Sequence, residues 1–187
     1  MSFGAVHSIL AGPKAKHRLG QTLGPYYRLS YNVLATVHIA AVWVFGQTVL
    51  SLEPYPLDPA SATALTVLRV LGVLILITAL REYDLGRFSG LAQIRAHKLG
   101  NPDPGDEPLR TGGLHRFVRH PLYLGAYLIL WGGAQNDFGL GTAVWGSLYL
   151  FIGARHEERS LLALYGGAYT DYQTRVPAII PWKGKAL

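Results

Sequence analysis

The sequence predicts an all-α fold, a multi-pass integral membrane helix bundle that ends in a helical hairpin. Three observations carry this. Half of the 187 residues are hydrophobic and 15% are charged, where soluble domains carry about 25% charge; mean hydropathy is positive, at +0.21. Two stretches are long and apolar enough to cross about 30 Å of hydrocarbon: Tyr31 to Leu50 has no charged residue, and Ala62 to Leu80 has only Arg69. A third apolar region, Pro121 to Ala154, is broken by GGAQNDFGLG. It reads as two helices of roughly 15 residues joined by a turn, a tilted or partly immersed hairpin.

The length suits one domain, 1–187, with N-terminal helices and a linker over 1–108 and a motif region over 109–187. The N-terminal Phe3 to Ala11 is too short to cross alone. It reads as the end of a shortened helix or an interfacial piece, without the charged start and cleavage pattern of a signal peptide. Arg81 to Leu99 continues the helix before it or lies at the interface. Gly100 and the turn-rich NPDPGDEP then stop it. From Leu162 onward, a Gly-Gly break and mixed Tyr and apolar residues suggest a short helix on the membrane face. The chain has no cysteine, which excludes a disulfide scaffold, a Cys-ligated metal and thiol catalysis.

The basic residues decide between membrane topology and an anionic partner. Of 17 Lys and Arg, four lie between Lys14 and Arg28, seven between Arg81 and Arg119, and five from Arg155 onward. The connection Glu53 to Ser61 has two acids and no base. If the spans are as drawn, the three basic segments share one side, and the positive-inside rule makes that side the cytoplasm. The excess charge is therefore topological, and no nucleic-acid partner is expected.

Two polar clusters flank the hairpin. Leu109 to Gly125, LRTGGLHRFVRHPLYLG, holds Arg116, Arg119, His115, His120 and Tyr123 where the chain enters it. Arg155-His156-Glu157-Glu158-Arg159 stands where the chain leaves. Each taken alone also reads as an anchoring collar, with Arg at the headgroups, Pro121 at the first helical position and Tyr in the interface. Because one hairpin carries both, they emerge close together, and carboxylates facing His, Arg and Tyr can hold a charged ligand.

These residues resemble a known family. Leu109, Thr111, Gly113, Arg119-His120-Pro121, Tyr123 and Gly125 are followed by Arg155, Glu157-Glu158 and Leu161. Gly166, Tyr169, Tyr172 and Val176-Pro177 complete the set. Together they are similar to the motif region of the isoprenylcysteine carboxyl methyltransferase family, whose outline phospholipid methyltransferases and small thiol methyltransferases share. His115 departs from that pattern, which has Tyr there. The resemblance implies S-adenosylmethionine as methyl donor, at a site on the cytoplasmic face lined by Leu109, Arg110, His115, His120, Pro121, Leu122, Tyr123 and Glu157. It implies a methyl acceptor that is lipophilic or small: a carboxylate, a thiol or a lipid amine. Arg155 would hold an anionic acceptor beside the methyl group, and Glu158 would take the proton of an amine. The alternative is a haem-binding membrane isomerase or nitrogen-oxide-related protein, since the N-terminal FGAVHSILA and YYRLSYNVLA also resemble the NnrU group. There His7 and His38 would be axial ligands.

Overall fold

The computed structural model describes residues 2–105 and 107–182. Among these residues the chain forms nine α-helices and no strand. They are α1 (Ser2–Ala11), α2 (Pro13–Leu23), α3 (Tyr27–Val49), α4 (Pro59–Leu80), α5 (Leu85–Ser89), α6 (Leu91–Lys98), α7 (Pro121–Gly132), α8 (Asp137–Tyr165) and α9 (Gly167–Arg175). Two helical stretches, Ala15–Val49 and Pro59–Leu80, are long and apolar enough to cross a membrane.

Four segments of chain build two compact units. The first combines 1–49 with 83–107, and the second combines 50–82 with 108–187. In the first, α3 holds the loop after α4 through polar contacts: Arg28 donates to the Arg87 carbonyl at 2.8 Å, and the Asn32 amide to the Phe88 and Ser89 carbonyls at 3.1 Å each. The expected continuation over Arg81 to Leu99 is interrupted instead. Asp84 accepts from the Gly86 and Arg87 amides and so caps a new helix, α5.

The second unit carries both hairpin clusters. Asp58 caps α4 through the Ala60 and Ser61 amides, with Pro59 in its first turn. Asn136 caps α8 by accepting from the Gly139 amide at 2.7 Å. The hairpin is unequal: α7 has 12 residues and α8 has 29, or ~18 Å against ~44 Å of helix. The extra length carries Arg155 to Arg159 past the apolar part of α8, and Gly166 separates it from α9.

Helices α4 and α7 pack backbone to backbone. A Cβ on Gly72 would stand 2.7 Å from the Gly125 carbonyl oxygen, and one on Gly132 would stand 2.5 Å from the Arg69 amide nitrogen. Only glycine permits this approach. Arg69 therefore lies beside the end of α7, next to the polar turn. The connection after Val49 seals that turn: the Tyr55 amide donates to the Gln135 carbonyl, the Phe138 amide to the Ser51 carbonyl, and the Tyr55 hydroxyl to Asp137. Both hairpin clusters consequently lie at the opposite end of the unit. Between the two ends, α4 exposes Leu74 and Ile77 and α8 exposes Trp145, Phe151 and Ile152, apolar side chains that a bilayer would cover.

Candidate functional site

Glu158 is the centre of a polar network beyond the apolar stretch of α8. The Arg119 Nε donates to its Oε1 at 2.8 Å, and a second guanidinium nitrogen contacts the same oxygen. His120 Nε2 donates to Oε1 at 3.1 Å, and the Gln173 amide donates to Oε2 at 3.3 Å. The remaining guanidinium nitrogen of Arg119 donates to the Val176 and Gln173 carbonyls. Burial alone would raise the Glu158 pKa. The hydrogen bonds from His120 and Arg119, with the electrostatic pull of both, outweigh burial and hold it at about 2. Such a carboxylate is a fixed anion and a weak proton acceptor at neutral pH.

Local structure explains why these groups converge. Pro121 needs no amide partner and starts α7, leaving His120 at the cap position. The Arg119 and His120 amides donate to the Pro177 and Ala178 carbonyls at 2.9 Å each, which ties the motif segment to the tail. Buried Val118 lies in the same segment, and Tyr169, Tyr172 and Val176 form a core on which Leu109, Leu161 and Tyr165 pack.

The predicted residues gather at this end of the unit. Pro121, His115 and His120 are buried and Leu122 is half-buried, while Arg110 is exposed. The Tyr123 ring stacks on His120 with centroids 5.2 Å apart. Glu157 is 44% exposed, with Oε2 3.6 Å from His120 Nδ1. Arg155 lies 4.5 Å above the Phe151 ring centroid. A cavity of about 360 Å³ opens beside Glu158, lined by Arg155, Glu158, Arg159, Leu162 and Gln173. Neither Arg155 nor Arg159 forms an ion pair among the described residues.

Tyr169 reaches the same network. Its hydroxyl is buried and has no partner at hydrogen-bonding geometry among the described residues. Burial, then the Glu158 charge, pushes its pKa up to about 12, partly countered by Arg119.

The chain is similar to methanethiol S-methyltransferases. It is 28% identical to methanethiol S-methyltransferase 1 of Bradyrhizobium diazoefficiens over 97% of its own length and 64% of that protein's. Against the methanethiol S-methyltransferase of Mycobacterium tuberculosis it is 28% identical over 96% of its length and 74% of the relative's. With that of Crocosphaera subtropica the identity is 34%, over 41% of this chain and 30% of that protein. The chain thus spans less than two thirds of the Bradyrhizobium protein. No family model matches the chain, and no solved structure matches it.

The two histidines of the alternative reading lie in the first unit. His7 bonds the Tyr31 hydroxyl and stacks on Phe3, and His38 lies 3.4 Å from the Ser2 hydroxyl. The cavity that they line has about 10 Å³, room for about one water and none for a macrocycle.

Sequence reasoning assigned no role to Arg119, Gln173, Tyr169 or Glu82. Arg119 belongs to the quoted motif, and only the fold shows that it neutralises Glu158. Glu82 has no signal in the sequence, since it reaches the motif from the end of α4: its Oε1 accepts from the Leu114 amide at 2.8 Å, and its Oε2 from His115 Nδ1 at 2.9 Å.

Proposed function

We propose that this chain is an integral membrane S-adenosylmethionine-dependent methyltransferase acting on a small thiol, through its thiolate, or on another anionic acceptor. The observation that carries the reading is one network, Arg119, His120 and Glu158, joining the two motif clusters beside a cavity that two arginines line. Similarity to methanethiol S-methyltransferases over nearly the whole chain supports it.

The residues present fit the donor. It carries a carboxylate, an ammonium, a ribose diol and an adenine, and the site offers arginine cations, the half-exposed Glu157 carboxylate and the stacked His120–Tyr123 rings. Leu109, Arg110, His115, His120, Pro121, Leu122, Tyr123 and Glu157 would hold it, with Glu157 accepting from the ammonium or the diol. When bound, the donor supplies a methyl group on a sulfonium, open to in-line attack. The protein's share is alignment and desolvation, which contribute ~7–11 kcal/mol in well-oriented systems.

The charge state of Glu158 favours acceptors that arrive as anions. Held at about 2 and bonded by three side chains, it anchors Arg119 and His120 rather than taking a proton. A carboxylate is already a nucleophile; a small thiol, with a pKa of about 8.5 or above, first gives its proton to water, and Arg155 and Arg159 at the cavity would favour and steer the thiolate. A lipid amine would need a base.

A labelled-methyl transfer assay on the membrane-embedded chain tests this, with methanethiol-sized thiols, prenylated cysteine and phospholipid amines as acceptors. Label is expected in the thiols. Label in the amines alone would overturn the acceptor class. As a check on the donor site, Glu157→Gln is expected to weaken S-adenosylhomocysteine by about 1.5–3 kcal/mol without unfolding the protein; unchanged affinity by calorimetry removes Glu157 from the site.

A further inference from the structure

We infer that Glu82, outside the motif region, is a positioning residue for the donor site: it sets the conformation of the loop between Leu109 and His120 through Leu114 and His115. The inference rests on the methyltransferase reading and adds a residue to it.

Both carboxylate oxygens of Glu82 are engaged. One accepts from the Leu114 amide and the other from His115 Nδ1, and the pair is largely withdrawn from water, with side-chain exposures of 22% and 7%. Gly113 makes room for this grip. Its backbone is left-handed, at φ +55°, and a Cβ there would stand 2.0 Å from the Glu82 Oε1. The carboxylate thus occupies space that any other residue would fill. From the other side the Tyr172 hydroxyl donates to the His115 carbonyl at 2.6 Å. The loop is clamped between the end of α4 and α9.

The departure at position 115 takes its meaning from this contact. Where the family pattern has Tyr, His115 places a ring N–H on the carboxylate of Glu82, two residues past the end of α4. That helix is a stiff mount, because its backbone interlocks with α7 at Gly72, Gly125 and Gly132. Arg119 and His120 follow His115 by four and five positions. Releasing Glu82 therefore shifts the residues that bind Glu158 and stack on Tyr123, without removing any group from the site.

The test uses the full chain in lipid nanodiscs, with S-adenosylmethionine and the best thiol acceptor. Glu82→Ala is expected to raise the donor KM about tenfold or more and leave kcat within about threefold, the pattern of lost binding rather than lost chemistry. Glu82→Gln keeps an oxygen for the Leu114 amide and is expected to recover most of the affinity. The Glu82→Ala, His115→Ala double variant is expected to cost no more than the worse single one, since both break one contact. Amide exchange over 112–118 is expected to accelerate in Glu82→Ala. A donor KM within twofold of wild type in Glu82→Ala, with wild-type turnover normal, overturns this inference alone, as does a double variant whose effects multiply. A wild-type chain that neither binds nor uses the donor overturns the methyltransferase reading as well, and unchanged exchange over 112–118 then shows separately that Glu82 does not hold the loop.

Discussion

Arg119 and Glu158, 39 positions apart, meet at 2.8 Å through the guanidinium Nε and one carboxylate oxygen. This contact joins the first residues of the hairpin to its last turns. A partly buried ion pair is weak evidence for stability in itself, because desolvation offsets most of the attraction. Its consequence here is electrostatic. With Glu158 neutralised by Arg119 and His120, the net charge facing the cavity comes from Arg155 and Arg159.

The first expectation concerns acid. The folded pKa of Glu158, about 2, lies below the ordinary 4.5. Stabilisation from its ionised form is therefore present above the ordinary value and is lost as pH falls towards the folded one. After discounting for solvent screening of a partly exposed group, about 1–2 kcal/mol is at stake. Thermal unfolding in detergent across that window should show the loss in wild type, and Glu158→Gln should flatten it. Parallel curves for the two proteins would assign the acid limb to other groups.

Helix packing gives a sharper contrast. Gly132→Ala drives a methyl group to 2.5 Å from the Arg69 backbone, which cannot move aside as a flexible side chain would. Overpacking of this kind costs about 1–3 kcal/mol. Gly20, in the last turn of α2, has nothing within 4 Å of its added Cβ, so Gly20→Ala should stabilise by up to about 1 kcal/mol through helix propensity. Unfolding midpoints in one detergent measure both. A neutral Gly132→Ala would mean that α4 and α7 separate more easily than their glycine contacts imply.

Hydropathy and charge made much of the fold legible. The apolar runs at Tyr31 and Ala62 became α3 and α4, and the Gly/Asn/Asp break became the hairpin turn, because each signal is local. Lengths were harder to read. The two hairpin helices, expected at equal length, are 12 and 29 residues long, because α8 runs on through polar Arg155 to Arg159, where hydropathy no longer marks a helix. The Asp84 cap that splits Arg81 to Leu99 is a signal that composition hides. At the candidate site, pattern could group only residues within its two short clusters. Glu82, Gln173 and the Tyr172 hydroxyl come from other elements, and three-dimensional contact alone reveals them.

The sidedness that the charge pattern predicts can be tested at the second unit's two ends. Glu53 is exposed in the segment that seals the hairpin turn, and Ala168 is exposed in α9 beside the site. If the basic segments are cytoplasmic, as the positive-inside rule predicts, Glu53→Cys reacts with an impermeant maleimide in intact cells, and Ala168→Cys only after permeabilisation. The chain has no native cysteine to interfere. Labelling of both from the same side would end this topology.

The last expectation separates donor from acceptor. His120 stacks on Tyr123 and holds Glu158, whereas Arg155 faces the cavity over Phe151 and forms no ion pair among the described residues. If the proposed roles hold, His120→Ala raises the donor KM, because the stack on Tyr123 and the bond to Glu158 are lost together. Arg155→Ala instead acts on the acceptor: its KM rises if the cation only binds, and kcat falls if the contact strengthens as the nucleophile attacks. His120 also anchors Glu158, so a drop in stability would imitate a drop in affinity. His120→Gln resolves this, since it keeps a donor for Glu158 but loses the aromatic stack. The measurement is steady-state kinetics with each substrate varied in turn, alongside thermal unfolding of every variant. Two variants that keep wild-type constants and insert normally would reduce both clusters to membrane anchors.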